Sequence, residues 1–387
     1  MLALAPLPAG WAGVRAAMNS MRSSDLNRAD REAAAGGYYE GLIGGGDGPQ
    51  GARGELAMAL LGKPTDWGRF HAANVTQRLP DGDFLEFFLK PNLNLRLFGH
   101  PFTTNRHGMR DRDYPLEKPE GVYRIAVLGS SIDMGWGIGI DETYVRRLED
   151  WLNAHADKLR IRRKFEVLNF GVAAFSPLQR VEYYRRKARA FQPDLVIFSA
   201  TMLDQRLMEI HLGDVFTERG DLTYDFLSEI LHLAKVTRED LRVEGGRLLH
   251  KETIRKKLHP YYWMIYDHTL ATLAADCRSD GAEIVCVIIP RVGKADAPDA
   301  RAESVALFQG IGAHNAIPVF DLSDTFDNQD PALFEIAAWD DHPNALGHKR
   351  LFFSISRAIV HHQAVYGRLF PGAVSPKPED LLPFPNP

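Results

Sequence analysis

The stretch Arg124-Ile125-Ala126-Val127-Leu128-Gly129-Ser130-Ser131 runs four apolar residues straight into a glycine and two hydroxyls. A short apolar run with β-branched members fits a strand buried on both faces. Four more such runs follow: Val167-Leu168-Asn169-Phe170, Leu195-Val196-Ile197-Phe198, Ile284-Val285-Cys286-Val287-Ile288-Ile289 and Pro318-Val319-Phe320-Asp321-Leu322. Helical patterns lie between them. Asp141 is placed to cap a helix that carries Val145, Leu148, Trp151 and Leu152 on one face. Ser176-Pro177-Leu178-Gln179 combines an N-cap serine, a proline at the first helical position and a glutamine able to close a capping box. Leu351, Phe352, Ile355 and Ile359 form the apolar stripe of a last helix. Strands alternating with helices predict a three-layer α/β/α fold around a parallel sheet of about five strands.

Working outward, residues 121–365 form the predicted α/β domain, interrupted at about 205–260 by a charged, helical insertion. Residues 1–120 read as an N-terminal accessory region. It is glycine-rich between Gly36 and Gly48, where no Lys-Ser/Thr follows to make a phosphate loop, and Pro64 after Gly62-Lys63 fails that pattern too. The region is partly β: Leu93-Asn94-Leu95-Arg96-Leu97 alternates with period two, and Gly99 and Pro101 supply turn chemistry. Residues 366–387 read as a proline-rich, extended tail, with six prolines from Pro371 onward.

Composition narrows the function classes. With 46 Lys and Arg against 50 Asp and Glu, no global field draws the chain to nucleic acid. Arg162, Arg163 and Lys164, with Arg185, Arg186 and Lys187, read as solvated helix ends and faces rather than a binding patch. Cys277 and Cys286 are read as free thiols, and no Cys/His spacing predicts a zinc site. No cofactor or metal is expected. No apolar run approaches the roughly 18 residues of a membrane span, and the start Met1-Leu2-Ala3-Leu4-Ala5-Pro6 is a poor signal peptide, so a cytoplasmic location is the expectation.

In open parallel sheets, ligands bind beyond the carboxyl ends of the strands. Three segments there hold candidate chemistry. Gly129-Ser130-Ser131 exposes a hydroxyl where a nucleophile would stand, although two serines could equally cap the next helix. Gly171, just past the second strand, could present a bare backbone N–H to an oxyanion or serve only as a turn. Trp339-Asp340-Asp341-His342-Pro343-Asn344-Ala345-Leu346-Gly347-His348 packs carboxylates, a histidine and a helix start into ten positions. A histidine with an oriented acceptor can act as general base on a serine hydroxyl.

Together these segments resemble the SGNH/GDSL hydrolase family of esterases and lipases, over about residues 100–362. The lead-in Thr104-Asn105-Arg106-His107-Gly108-Met109-Arg110-Asp111-Arg112-Asp113-Tyr114 is similar to that of bacterial relatives, and His107 and Arg110 stand either near the cleft or in a structural role. The family's first block, usually Gly-Asp-Ser followed by a Gly-Trp-Gly-like turn, reads Gly129-Ser130-Ser131 and Gly135-Trp136-Gly137. The resemblance implies Ser131 as nucleophile, His342 as base, and the N–H groups of Ser131 and Gly171 as the oxyanion hole. Two departures stand out. Ten residues beyond Asp194 of Pro193-Asp194, the block usually written Gly-x-Asn-Asp ends on Asp204, but Leu203 replaces the Asn and Thr201 the Gly. The usual acid, three residues before the histidine, is Trp339. Asp340 is preferred over Asp341, because a residue adjacent to His342 cannot easily fold back onto its ring. The expected function is cleavage of an ester or O-acyl group, on a small-molecule or carbohydrate ester, through an acyl-enzyme. The alternatives are O-acyl transfer to a polysaccharide and a catalytically silent carbohydrate-binding or scaffold protein.

Overall fold

The computed structural model describes residues 75–80, 83–97, 99–218, 224–244, 247–248, 251–293, 298–337 and 340–376. The glycine-rich stretch, Trp339 and residues 377–387 of the proline-rich tail lie outside these. Five parallel strands form the central sheet: β1 (Val122–Leu128), β2 (Lys164–Asn169), β3 (Leu195–Thr201), β4 (Glu283–Ile289) and β5 (Val319–Asp321), in spatial order β2-β1-β3-β4-β5. Register is set with Ile125 opposite both Val167 and Leu195, and Cys286 opposite Phe198 and Val319. All five apolar runs are therefore strands.

Both faces are covered, and this explains the runs. Ile125 and Val127 enter one apolar cluster while Ala126 and Leu128 enter the other, following the two-residue period of a strand. One cluster takes Leu148, Leu152, Leu351 and Ile355 from helices α2 (Tyr144–Lys158) and α9 (Ala345–His361). The other takes Leu178, Val181, Leu270 and Leu273 from α3 (Pro177–Arg186) and α7 (Tyr262–Asp280). Ser176 caps α3 as expected: its Oγ accepts from Gln179 N at 3.1 Å and Gln179 Oε1 accepts from Ser176 N at 3.0 Å. The cap of α2 differs from expectation. Asp141 falls in a 3-10 turn (Ile140–Glu142), and Thr143 caps the helix by accepting from Arg146 N at 3.2 Å. The extra turn displaces the helix start past Asp141.

The insertion holds helices α4 (Asp204–Glu218), α5 (Asp225–Leu233) and α6 (Lys251–Leu258), with a two-residue hairpin before α6. Between β4 and β5 lies α8 (Pro298–His314). In the accessory region, Asn94–Leu97 pairs antiparallel with His100–Thr103, and Pro101 sits inside the second strand opposite Arg96 rather than in the turn. This region is bound to the sheet domain: His211 Nε2 pairs with Phe84 O at 2.7 Å and Gln179 Nε2 donates to Leu85 O at 3.0 Å. At the other end, α10 (Gln363–Leu369) runs past residue 365, with Tyr366, Leu369 and Phe370 buried. In the first basic cluster Arg162 and Lys164 are exposed as expected, but the second is engaged rather than merely solvated. Arg185 pairs with Asp276, Arg186 with Asp83 and Glu182, and Lys187 lies over the Phe88 ring. Both cysteines are buried free thiols. Among the described residues, no helix is long and apolar enough to cross a membrane.

Candidate active site

The chain leaves β1 toward β2 on one side and leaves β3 toward β4 on the other, so the connections diverge between neighbouring β1 and β3 and open a crevice beyond their carboxyl ends. The residues after each strand converge there. After β1 the chain turns at Gly129 into α1 (Ser131–Met134), a single helical turn whose first residue is Ser131. The N-cap is Ser130, whose backbone N–H donates to Asp133 Oδ2 at 2.7 Å. Asp133 Oδ1 accepts from Tyr144 OH at 2.5 Å, and burial, with the neighbouring Asp133 charge, raises the phenol's pKa well above its ordinary value. Capping thus belongs to Ser130 and Asp133, which leaves the Ser131 hydroxyl for other work.

That hydroxyl meets His342. The distance from Ser131 Oγ to His342 Nε2 is 2.7 Å, and from His342 Nδ1 to Asp340 Oδ1 2.6 Å. All three residues are at least nine-tenths buried. The backbone explains how Asp340 reaches the ring from two positions upstream. Asp340–Pro343 is a short strand paired with Glu335–Ala337, in which residues i and i+2 share a face. Asp340 Oδ1 also accepts from His342 N at 3.1 Å. Asp341 also borders the cleft, its carboxylate within 4.8 Å of the Asp340 and His342 side-chain atoms, but it forms an ion pair with Arg291, just past β4. The following helix is capped by Asn344, which accepts from Leu346 N and Gly347 N at 2.9 and 3.0 Å, so His342 has no capping task. His348, the second histidine of the segment, is fully buried and ties down α2 by accepting from Tyr144 N at 3.1 Å. Burial and then the nearby cations lower its pKa to about 3, so it stays neutral.

Gly171 follows β2 as expected, but its N–H donates to Asn169 Oδ1 at 2.9 Å. A glycine is required there because a Cβ would stand 2.6 Å from Met134 N. Asn169 Nδ2 in turn donates to Asp133 O at 2.7 Å, so β2 braces the back of α1. Leu203 faces the cleft: with Ser131, Thr201, Arg291, Asp341 and His342 it lines a cavity of about 10 Å³, room for roughly one water. A larger cavity of about 310 Å³ adjoins it and shares Leu203 and Arg291. Because Leu203 lines the cleft, Leu203→Asn adds a side-chain donor at a position that has none. We expect turnover of a simple aryl ester to rise about tenfold, since one oxyanion donor is worth about 10²–10³ when well placed. Turnover and melting temperature measured together check this; a lower melting temperature with no gain in turnover counts against it.

Several contributors carry no strong mark in the sequence. Trp136 donates its indole N–H to Asp340 Oδ2 at 3.0 Å. Arg110 is buried and gives hydrogen bonds to the carbonyls of Met134 (2.9 Å), Gly135 and Ile138 (2.5 Å), clamping the end of α1; burial lowers its pKa to about 10. Arg110 therefore has a structural role behind the cleft. His107 bonds Tyr114 O and Arg106, away from Ser131. The Gly-Trp-Gly block and the lead-in were the available signals. Asp340, Asp341 and His342 also lie close enough together to suggest a metal site, but their partners are Trp136, Arg291 and Ser131.

No family model matches the sequence, and no curated protein matches it. Among solved structures the chain is similar to Axe2, an acetylxylan esterase from Geobacillus stearothermophilus, at 17% identity, covering 61% of this chain and 94% of that one with a TM-score of 0.39. It is similar to TesA at 13% identity, over 61% of this chain and 98% of that one, TM-score 0.39. It is also similar to LAE5, an alpha/beta hydrolase from the metagenome of Lake Arreo, Spain, at 18% identity, over 61% and 94%, TM-score 0.36.

Proposed function

We propose that this protein is a serine esterase of the SGNH type that cleaves an ester or O-acyl group. The observation that carries the reading is the continuous pair of hydrogen bonds from Ser131 Oγ through the His342 ring to Asp340. In this reading His342 Nε2 takes the Ser131 proton as Oγ attacks the substrate carbonyl. The Nδ1–H donates to Asp340, which holds the ring in the tautomer whose Nε2 can accept and stabilises the imidazolium that forms. The Ser131 backbone N–H lies in the first turn of α1, where helix N–H groups lack an intrahelical acceptor, and it faces the developing oxyanion. The Gly171 N–H joins it by sharing its bond to Asn169 Oδ1, as bifurcated N–H groups do. The imidazolium then protonates the leaving alcohol, and water, activated by His342, releases the acid. The 310 Å³ cavity beyond Leu203 and Arg291 gives the substrate room.

An organophosphonate probe tests this directly. The label is expected on Ser131 and not on Ser130, read by mass spectrometry of the modified peptide. Label on Ser130, or none on folded protein, rejects the assignment and favours a silent binding role.

A further inference from the structure

The Gly135-Trp136-Gly137 turn holds both ends of the proposed catalytic array. Trp136 backbone N–H donates to the carbonyl of Ser131 at 3.0 Å, and its indole N–H donates to Asp340 Oδ2, the carboxylate oxygen that does not face His342 Nδ1. Its ring lies against the imidazole of His342, with centroids 5.5 Å apart and planes 26° apart. The side chain is 1% exposed, so water does not compete strongly for the carboxylate. The turn itself is clamped: Gly135 takes φ +83°, a Cβ there would stand 2.5 Å from Thr143 Cγ2, and Arg110 grips the carbonyls on either side of Trp136.

We propose that Trp136 is a positioning residue, whose indole N–H fixes the Asp340 carboxylate in the orientation that engages His342. The inference rests on the hydrolase reading for its catalytic consequence but not for its geometry. Asp340 Oδ1 is held by the ring and the backbone N–H of His342; a donor on Oδ2 adds a restraint from the far side against rotation about the Cβ–Cγ bond. A hydrogen bond to a charged group is among the stronger kinds.

Trp136→Phe keeps an aromatic ring at this position, removes the donor and leaves a small cavity where the second ring stood. The expected result is a fall in kcat of about 10- to 100-fold, with KM changed less than about twofold. Proton NMR supplies a readout that needs no turnover. The downfield His342 Nδ1–H resonance, assigned by its loss in His342→Gln, is expected to move in Trp136→Phe. If Trp136→Phe does not fold, Asp340→Ala serves, with one of the six indole N–H signals of the chain expected to move upfield. A signal that stays in place in a folded variant overturns the proposal, whatever the activity. A moved resonance in a protein whose Ser131 neither takes the probe nor turns over esters supports the positioning role and rejects the hydrolase reading instead.

Discussion

Asp340→Asn is expected to lower turnover of an aryl ester by about 10⁴-fold, because an amide in place of the acid leaves the histidine of such a triad in the wrong tautomer. Asp340 Oδ1 is 2.6 Å from His342 Nδ1, and an Asn there can turn its NH₂ toward the ring or toward Trp136, breaking the chain either way. Asp341→Asn is the control. Its carboxylate pairs with Arg291 at the wall of the cleft rather than with the His342 ring, so turnover should fall far less than in Asp340→Asn. Steady-state kinetics on the two purified variants checks this. Equal, small losses would mean that His342 works without a local acid.

Asp204→Ala is expected to cost about 3–5 kcal/mol of stability, the largest structural effect in the molecule that we anticipate. Asp204 and Arg180 form an ion pair with both side chains fully buried. Asp204 Oδ1 accepts from Arg180 Nη2 at 2.7 Å and Oδ2 from Arg180 Nη1 at 3.0 Å, while Tyr266 OH and Thr201 N donate to Oδ2 at 2.9 and 3.1 Å. Removing the acid strands a guanidinium in the core. Replacing both partners, as in Arg180→Met with Asp204→Leu, removes the stranded charge and should recover much of the loss. Urea unfolding of the single and double variants checks the pattern; a single variant within 1 kcal/mol of the parent would show that water reaches Arg180. Thr201 lines the cleft, so the same network holds one wall of the site.

The network shows why part of the site was unreadable in one dimension. Asp204 drew attention through its spacing from Pro193-Asp194, but nothing near it marks Arg180 as its partner. The two meet because α3 and α4 pack on the same face of the sheet. Trp136 and Asp340 are likewise 204 residues apart, joined only when β1 and the segment before α9 reach the same edge. Gly171 illustrates the opposite case: its position was legible, but its N–H partner, Asn169 Oδ1, depends on a side-chain rotamer that no spacing specifies.

What the sequence determined by itself were the five strands and their two-faced burial, and it marked Ser131, His342 and the Asp340-Asp341 pair as residues to inspect. Apolar runs and strand-end residues are local, and locality is what a chain displays without folding. Only the tertiary structure decided which carboxylate faces the imidazole. The choice between Asp340 and Asp341 turns on partners brought from elsewhere in the chain: Arg291 takes the Asp341 carboxylate and the Trp136 indole takes Asp340 Oδ2, leaving Asp340 Oδ1 on His342 Nδ1. It decided also that Arg110 braces the end of α1 and that Leu203 borders the cleft. Those contacts join residues far apart in sequence, and their geometry exists only after the sheet has closed the distance between them.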